Sequence, residues 1–198
     1  LIDTLVELHG LDYAAAGLGD LGKPEGYPTR QIHGWIKRYE NSRTDDIPAM
    51  ERVAAWLAAS IPGERGASLI HNDYRYDNVI LDPADLRQIK AILDWEMANV
   101  SDPRTDLAWF IWIDRCNSEG LGATRLPGIP SPAELYARWS RGTGRSVEGI
   151  EWFELFAVVR YAIVLERKFE FMRESNPGMV IPNFPANFIP GLMKAAGA

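Results

Sequence analysis

Three oxygen-bearing side chains follow one another through the middle of the sequence: Asp73 and Asn78 within LIHNDYRYDNVIL, then Asp94 within AILDWE. Carboxylate and amide oxygens are the hard donors that Mg²⁺ takes, the rest of its shell being waters and substrate phosphates. A carboxylate beside such an ion is suited to orient a hydroxyl and to accept its proton late in a loose transition state. The residue types therefore suit phosphoryl transfer to an alcohol. An isolated Asp at a strand end is most often a solvated turn residue, so the reading rests on the order and spacing of all three.

Rigid elements must hold them. Residues 68–70, 78–81 and 89–93 are short apolar runs parted by turn chemistry such as Asp82-Pro83, the pattern of short strands. The last two can pair as a hairpin across PADLRQ, which sets Asn78 at the start of one strand and Asp94 at the end of the other. Helical patterns flank this insert. Leu1, Leu5 and Leu8 share a face that Gly10 closes, residues 10–28 read as a loop, and Ile32, Trp35, Ile36 and Tyr39 keep the i, i+3, i+4, i+7 rhythm. Pro48 opens a helix through Leu57, and residues 107–113 are apolar nearly all round, as in a buried helix. Ser131-Pro132-Ala133-Glu134 is a capping box with proline at the first helical position. Residues 151–174 predict a long helix with an apolar stripe of Phe153, Phe156, Val159 and Ile163. Beyond Pro177 the prolines at 182, 185 and 190 predict irregular surface chain.

The 198 residues, 46% apolar and 24% charged, have the composition of one globular domain with a real core. A net charge of −6 argues against a nucleic-acid or anionic-membrane surface, since both need clustered Lys and Arg. No run has the length of a membrane span. The lone Cys116 excludes an internal disulfide and reads as a buried, inert thiol in WFIWIDRCN, which fits a cytoplasmic setting. His9 and His33 lack metal-ligand spacing with each other or with Cys116, so zinc is not supported. The chain opens at Leu1, inside a helical pattern with no cap, which predicts a fragment of a longer protein.

His71-Asn72-Asp73 with Asn78 resembles the H-x-D-x-x-x-x-N catalytic loop of the aminoglycoside phosphotransferase and choline kinase group, distant relatives of the protein kinases. Leu93-Asp94-Trp95-Glu96 is similar to that group's metal-binding [IL]-D-[WF]-E. Ser101-Asp102-Pro103-Arg104-Thr105-Asp106-Leu107-Ala108 is similar to its G-D-P-x-x-D-L-A helix start. The stretch from Gly22-Lys23-Pro24 to Trp35 resembles the subgroup fused to, or encoded near, acyl-CoA dehydrogenases. The resemblance covers almost the whole chain. It implies an α+β, mostly helical architecture, the C-terminal lobe (residues 1–198) of a protein-kinase-like fold, with a small central β-hairpin carrying the catalytic loop.

The same resemblance implies a small-molecule kinase that uses ATP and Mg²⁺. It makes Asp73 the catalytic base or hydroxyl-positioner, Asn78 and Asp94 the Mg²⁺ ligands, and His71 and Asp106 the supports of the catalytic loop. The expected partner is a small hydroxyl substrate: an aminoglycoside-like polyol, an amino alcohol or a hydroxyacyl thioester. The group has Gly where Asn72 and Ser101 stand, and Asn is the residue that next best tolerates positive φ. Nothing here resembles the Gly-rich loop or the strand lysine that hold the donor's phosphates. GLGDLGKPEG lacks G-x-x-x-x-G-K-[ST] and follows a helical pattern. The nucleotide-covering lobe is therefore expected upstream of Leu1. The competing reading is a non-catalytic pseudokinase or ligand-binding module; a protein kinase proper is disfavoured by the lack of D-F-G and A-P-E. Arg75 fits either a phosphate or substrate contact or a salt bridge, and Glu96 either the metal or solvent. Asp102 is expected to fix a turn, and Trp35 and Trp109 are the tryptophans expected nearest a substrate.

Overall fold

The computed structural model describes residues 1–43, 47–175 and 184–198. In chain order its elements are α1 (Ile2–Gly10), α2 (Tyr27–Ser42), α3 (Pro48–Ala59), β1 (Ser68–Ile70), β2 (Val79–Leu81), β3 (Ile89–Ile92), β4 (Asn99–Ser101), α4 (Arg104–Arg115), α5 (Pro132–Thr143), α6 (Ile150–Ser175) and α7 (Ile189–Ala195). They fall into two compact units, one of Leu1–Tyr27 with Gly63–Ile150 and one of Pro28–Pro62 with Glu151–Ala198. Among the described residues no helix is long and apolar enough to cross a membrane.

In the first unit the hairpin forms as predicted: β2 runs antiparallel to β3, with Val79 opposite Ile92 and a bulge between Ile80 and Leu81. Its first strand starts one residue later than expected, because Tyr76–Asn78 forms a 3-10 turn. A second ladder was not foreseen. β4 pairs antiparallel with β1, Ser68 facing Ser101 and Ile70 facing Asn99; a strand whose one apolar residue is Val100 leaves no alternation to read. Ribbons of two short strands are marginal by themselves. Here α4 supports them, buried from Arg104 to Ile113, and Tyr74 and Tyr76 of the loop between β1 and β2 lay their rings on its Phe110, centroids 5.8 and 5.4 Å apart.

Helix α1 buries Ile2, Leu5 and His9, not the Leu1, Leu5, Leu8 face expected. The rotation brings His9 inward and lets the Ser68 hydroxyl donate to the His9 carbonyl at 2.8 Å, joining α1 to β1. Residues 11–26 run as turns and bends with no regular element. Gly22 packs where a Cβ would fall 2.0 Å from Asn99 Oδ1, so a glycine is needed there for close packing against β4. The Ser131 capping box forms in full, its hydroxyl accepting the Glu134 amide and the Glu134 carboxylate accepting the Ser131 amide.

The second unit is helical. Ile32 of α2, Met50, Val53 and Leu57 of α3, and Trp152, Phe153, Phe156, Val159 and Ile163 of α6 form its core, and Trp152 Nε1 donates to the Leu57 carbonyl at 2.9 Å. The expectation of an irregular tail is corrected over residues 184–195: Phe184–Phe188 is a 3-10 turn and α7 follows it, packed on α3. Pro190 sits in the first turn of α7, where a missing N–H costs nothing, and Ile189 and Leu192 are buried. The prolines at 177 and 182 lie outside the described residues.

Candidate active site

The loop of residues 71–78 leaves β1 at Ile70 and ends where β2 begins. It has no ladder partner, so its buried N–H groups need other acceptors. Asp106 supplies them. Asp102 first sets the helix start: Oδ1 accepts the Arg104 amide at 3.0 Å, and both oxygens take the buried Arg104 guanidinium, at 2.9 and 2.5 Å. That clamp delivers Asp106 in the first turn of α4, where the helix dipole favours a carboxylate. Asp106 is fully buried; Oδ2 accepts the His71 amide at 2.6 Å and Oδ1 the Asn72 amide at 2.7 Å. A third donor comes from α1, with His9 Nε2 3.4 Å from Oδ2. The Trp139 indole, which can only donate, gives its N–H to His9 Nδ1 at 2.9 Å, so the imidazole proton sits on Nε2, facing Asp106.

His71 is held by the same logic. Its Nδ1 accepts the Asp73 amide at 3.2 Å, which leaves Nε2 to donate to the Leu93 carbonyl at 2.8 Å. Both ring nitrogens are spent on backbone, and the ring lies against Trp95 with centroids 4.7 Å apart. The imidazole thus ties the loop to the residue before Asp94.

Asp73 is gripped from two sides. Its Oδ1 accepts the Trp109 indole N–H at 3.0 Å and its Oδ2 the Asn78 amide at 3.0 Å; that same amide donates to the Asp73 carbonyl at 2.9 Å. With its NH₂ group occupied, Asn78 keeps Oδ1 as an oxygen donor. Asp94 enters through the backbone: the Leu93 N–H donates to the Asn78 carbonyl at 2.8 Å, carrying the hairpin pairing one residue past Val79 and Ile92. Asp94 follows immediately, exposed, with φ 65° and ψ 59°. An Asn amide oxygen and an exposed carboxylate at one end of a hairpin are the hard-donor chemistry that suits Mg²⁺. Among the described residues no three His, Cys, Asp or Glu side chains converge on a metal position.

Among the described residues only Asn72 (φ 66°) and Asp94 (φ 65°) are non-glycines with positive φ, and both belong to this loop pair. The left-handed conformation costs most residues about 1–2 kcal/mol, and Asn and Asp tolerate it best. Asn72 also anchors itself, its Nδ2 donating to the Tyr27 hydroxyl and the Met97 carbonyl, each at 2.9 Å. Asn72→Gly should therefore lie within about 1 kcal/mol of the parent, lost hydrogen bonds offsetting relieved strain, whereas Asn72→Ala loses both and should cost about 2 kcal/mol. Urea unfolding of the two variants measures this; equal costs would mean that backbone conformation does not govern the site.

Of the remaining candidates, Arg75 forms the salt bridge, Nη2 lying 2.7 Å from Asp77. Glu96 is exposed, and Asp102 holds the turn. Burial first, and the Asp106 charge second, push the Tyr74 phenol above its usual range; its hydroxyl donates to the Leu1 carbonyl at 2.9 Å. Trp35 belongs to the second unit, where Arg38 and Arg160 stack over its ring at 4.7 and 5.7 Å. Sequence reasoning had His9 only as a residue without metal-ligand spacing and gave Trp139 no place in the site. The signal for His9 was its i, i+3, i+7 relation to Ile2 and Leu5.

The model of the phosphotransferase enzyme family matches residues 1–153. Mouse acyl-CoA dehydrogenase family member 10 is 38% identical over 172 residues, covering 82% of this chain and 16% of the relative. Chicken acyl-CoA dehydrogenase family member 11 is 33% identical over 164 residues, covering 77% and 21%. The chain thus spans about a fifth of the length of these relatives. Among solved structures, one from Ralstonia eutropha assigned as an aminoglycoside phosphotransferase superposes with a TM-score of 0.79 at 29% identity, over 96% of this chain and 60% of that one. A macrolide 2'-phosphotransferase of type I shares the fold, with a TM-score of 0.62 at 16% identity over 91% of this chain and 57% of that one.

Proposed function

We propose that this chain, which belongs to the phosphotransferase enzyme family and has a protein-kinase-like fold, is the catalytic-loop lobe of a cytoplasmic kinase that moves the γ-phosphoryl group of ATP to a small-molecule hydroxyl. The observation that carries this reading is the Asp73 carboxylate, fixed by donors on both oxygens in a loop whose backbone hangs on Asp106. The acceptor oxygen bonds to the γ-phosphorus as the bond to the β–γ bridging oxygen breaks. ADP leaves with that electron pair, and the hydroxyl proton passes to Asp73. Asn78 Oδ1 and the Asp94 carboxylate are the residues that would hold Mg²⁺. The ion would neutralise charge developing on the donor's phosphates. Such transfer depends on positioning, so the wall that covers the nucleotide is also needed; the upstream lobe of the same protein is its proposed source. For the acceptor, the names of the acyl-CoA dehydrogenase relatives favour a hydroxyacyl thioester over polyols and amino alcohols.

Thermal unfolding of the intact protein with ATP and increasing Mg²⁺ tests the reading. A ligand bound only by the native state raises the midpoint with concentration. Asp94→Ala should move the Mg²⁺ requirement up by at least about tenfold, the scale of change on disturbing a metal's surroundings. An ADP-release assay over hydroxyacyl thioesters, aminoglycosides and amino alcohols then identifies the acceptor. Magnesium-independent ATP binding, or none, would overturn the proposal.

A further inference from the structure

Asp106 and Trp109 are three residues apart on α4 and so share a helix face. Asp106 grips the loop's backbone, and the Trp109 indole donates to Oδ1 of Asp73 at 3.0 Å. Trp109 is almost wholly buried, so its N–H cannot turn to water. Resting on the phosphotransferase reading above, we infer that Trp109 is a positioning residue for phosphoryl transfer: its indole N–H fixes the rotamer of the Asp73 carboxylate so that a free lone pair meets the acceptor hydroxyl.

An ionised carboxylate oxygen accepts more than one hydrogen bond. Oδ1 can therefore hold the indole N–H and still receive the acceptor proton, while Oδ2 is steadied by Asn78. Without the indole donor, one oxygen of Asp73 loses its anchor and the side chain can turn about χ1 and χ2. Asn78 keeps its second hydrogen bond, to the Asp73 carbonyl, and Asp94 its place after the Leu93–Asn78 backbone bond, so the loss falls on turnover more than on nucleotide binding.

Two substitutions separate the N–H from the bulk of the ring. Trp109→Phe keeps an aromatic ring and removes the donor. Trp109→His loses bulk, yet its Nε2 can overlay the indole nitrogen. With Mg·ATP and water as the acceptor, ADP release by the intact protein should fall about tenfold in Trp109→Phe and no more than about threefold in Trp109→His, the half-saturating Mg·ATP concentration staying within about twofold in both. Thermal midpoints should rank the other way, His below Phe. The indole ¹⁵N–¹H resonance that Trp109→Phe deletes should also shift in Asp73→Asn. A packing role alone predicts that the rates follow the midpoints, His slower than Phe; that order, or an unmoved indole resonance, would overturn the inference. Absence of ADP release from the unaltered protein overturns the functional reading first, and the positioning role with it.

Discussion

Asp73→Asn in the intact protein is expected to slow phosphoryl transfer by about 10²–10⁴-fold, the scale of a positioned acid–base group. The amide is close to isosteric, so the loop should keep its shape, but it cannot take the acceptor proton. It also spoils the local pairing. Trp109 and Asn78 both present donors to Asp73, one to each oxygen, and an Asn at 73 must turn its own NH₂ toward one of them. Only a carboxylate satisfies both. Calorimetry with Mg·ATP should show affinity within a few-fold of the parent, while coupled ADP release shows the loss. A variant within threefold of the parent rate would remove Asp73 from the chemistry and revive the ligand-binding alternative.

The largest stability change is expected at Asp106. This fully buried side chain accepts the His71 and Asn72 amides and faces the His9 Nε2 proton. Asp106→Ala leaves three donors buried without an acceptor. Each such orphan costs about 1–3 kcal/mol, so a total of about 3–9 kcal/mol is expected, against the 5–15 kcal/mol that typically holds a whole domain. Asp106→Asn should cost less, about 2–4 kcal/mol, because one acceptor survives while the NH₂ group opposes a donor. Denaturant unfolding should show a lower midpoint with an unchanged slope. A change below 1 kcal/mol in Asp106→Ala would mean that the loop is supported elsewhere.

Much of this site was legible in the sequence because its chemistry is local. The hairpin reading set Asn78 and Asp94 at strand ends, and the motif resemblance picked out Asp73 and made Asp106 a support of its loop. The hairpin, the capping box and the buried character of α4 were readable from periodicity and turn residues for the same reason. What escaped depends on which residues meet across long sequence separations. His9 and Trp139 come from α1 and α5, 97 and 130 residues from their partners in the Asp106–His9–Trp139 chain. No local pattern records such a meeting. Strand β4 escaped because three residues beside Asp102-Pro103 carry too little alternation to register, and α7 because prolines were counted as breakers where the first turn of a helix accepts one.

Asp106 holds the loop of residues 71–78 through main-chain amides, a possession common to every amino acid except proline. The grip itself asks for no particular side chain at positions 71 and 72, although the left-handed backbone at 72 narrows the choice there. Shape at this point is inherited from the helix across the way, and position 72 can be spelt by any residue that stands the left-handed region. An asparagine standing in a glycine's place is one such respelling.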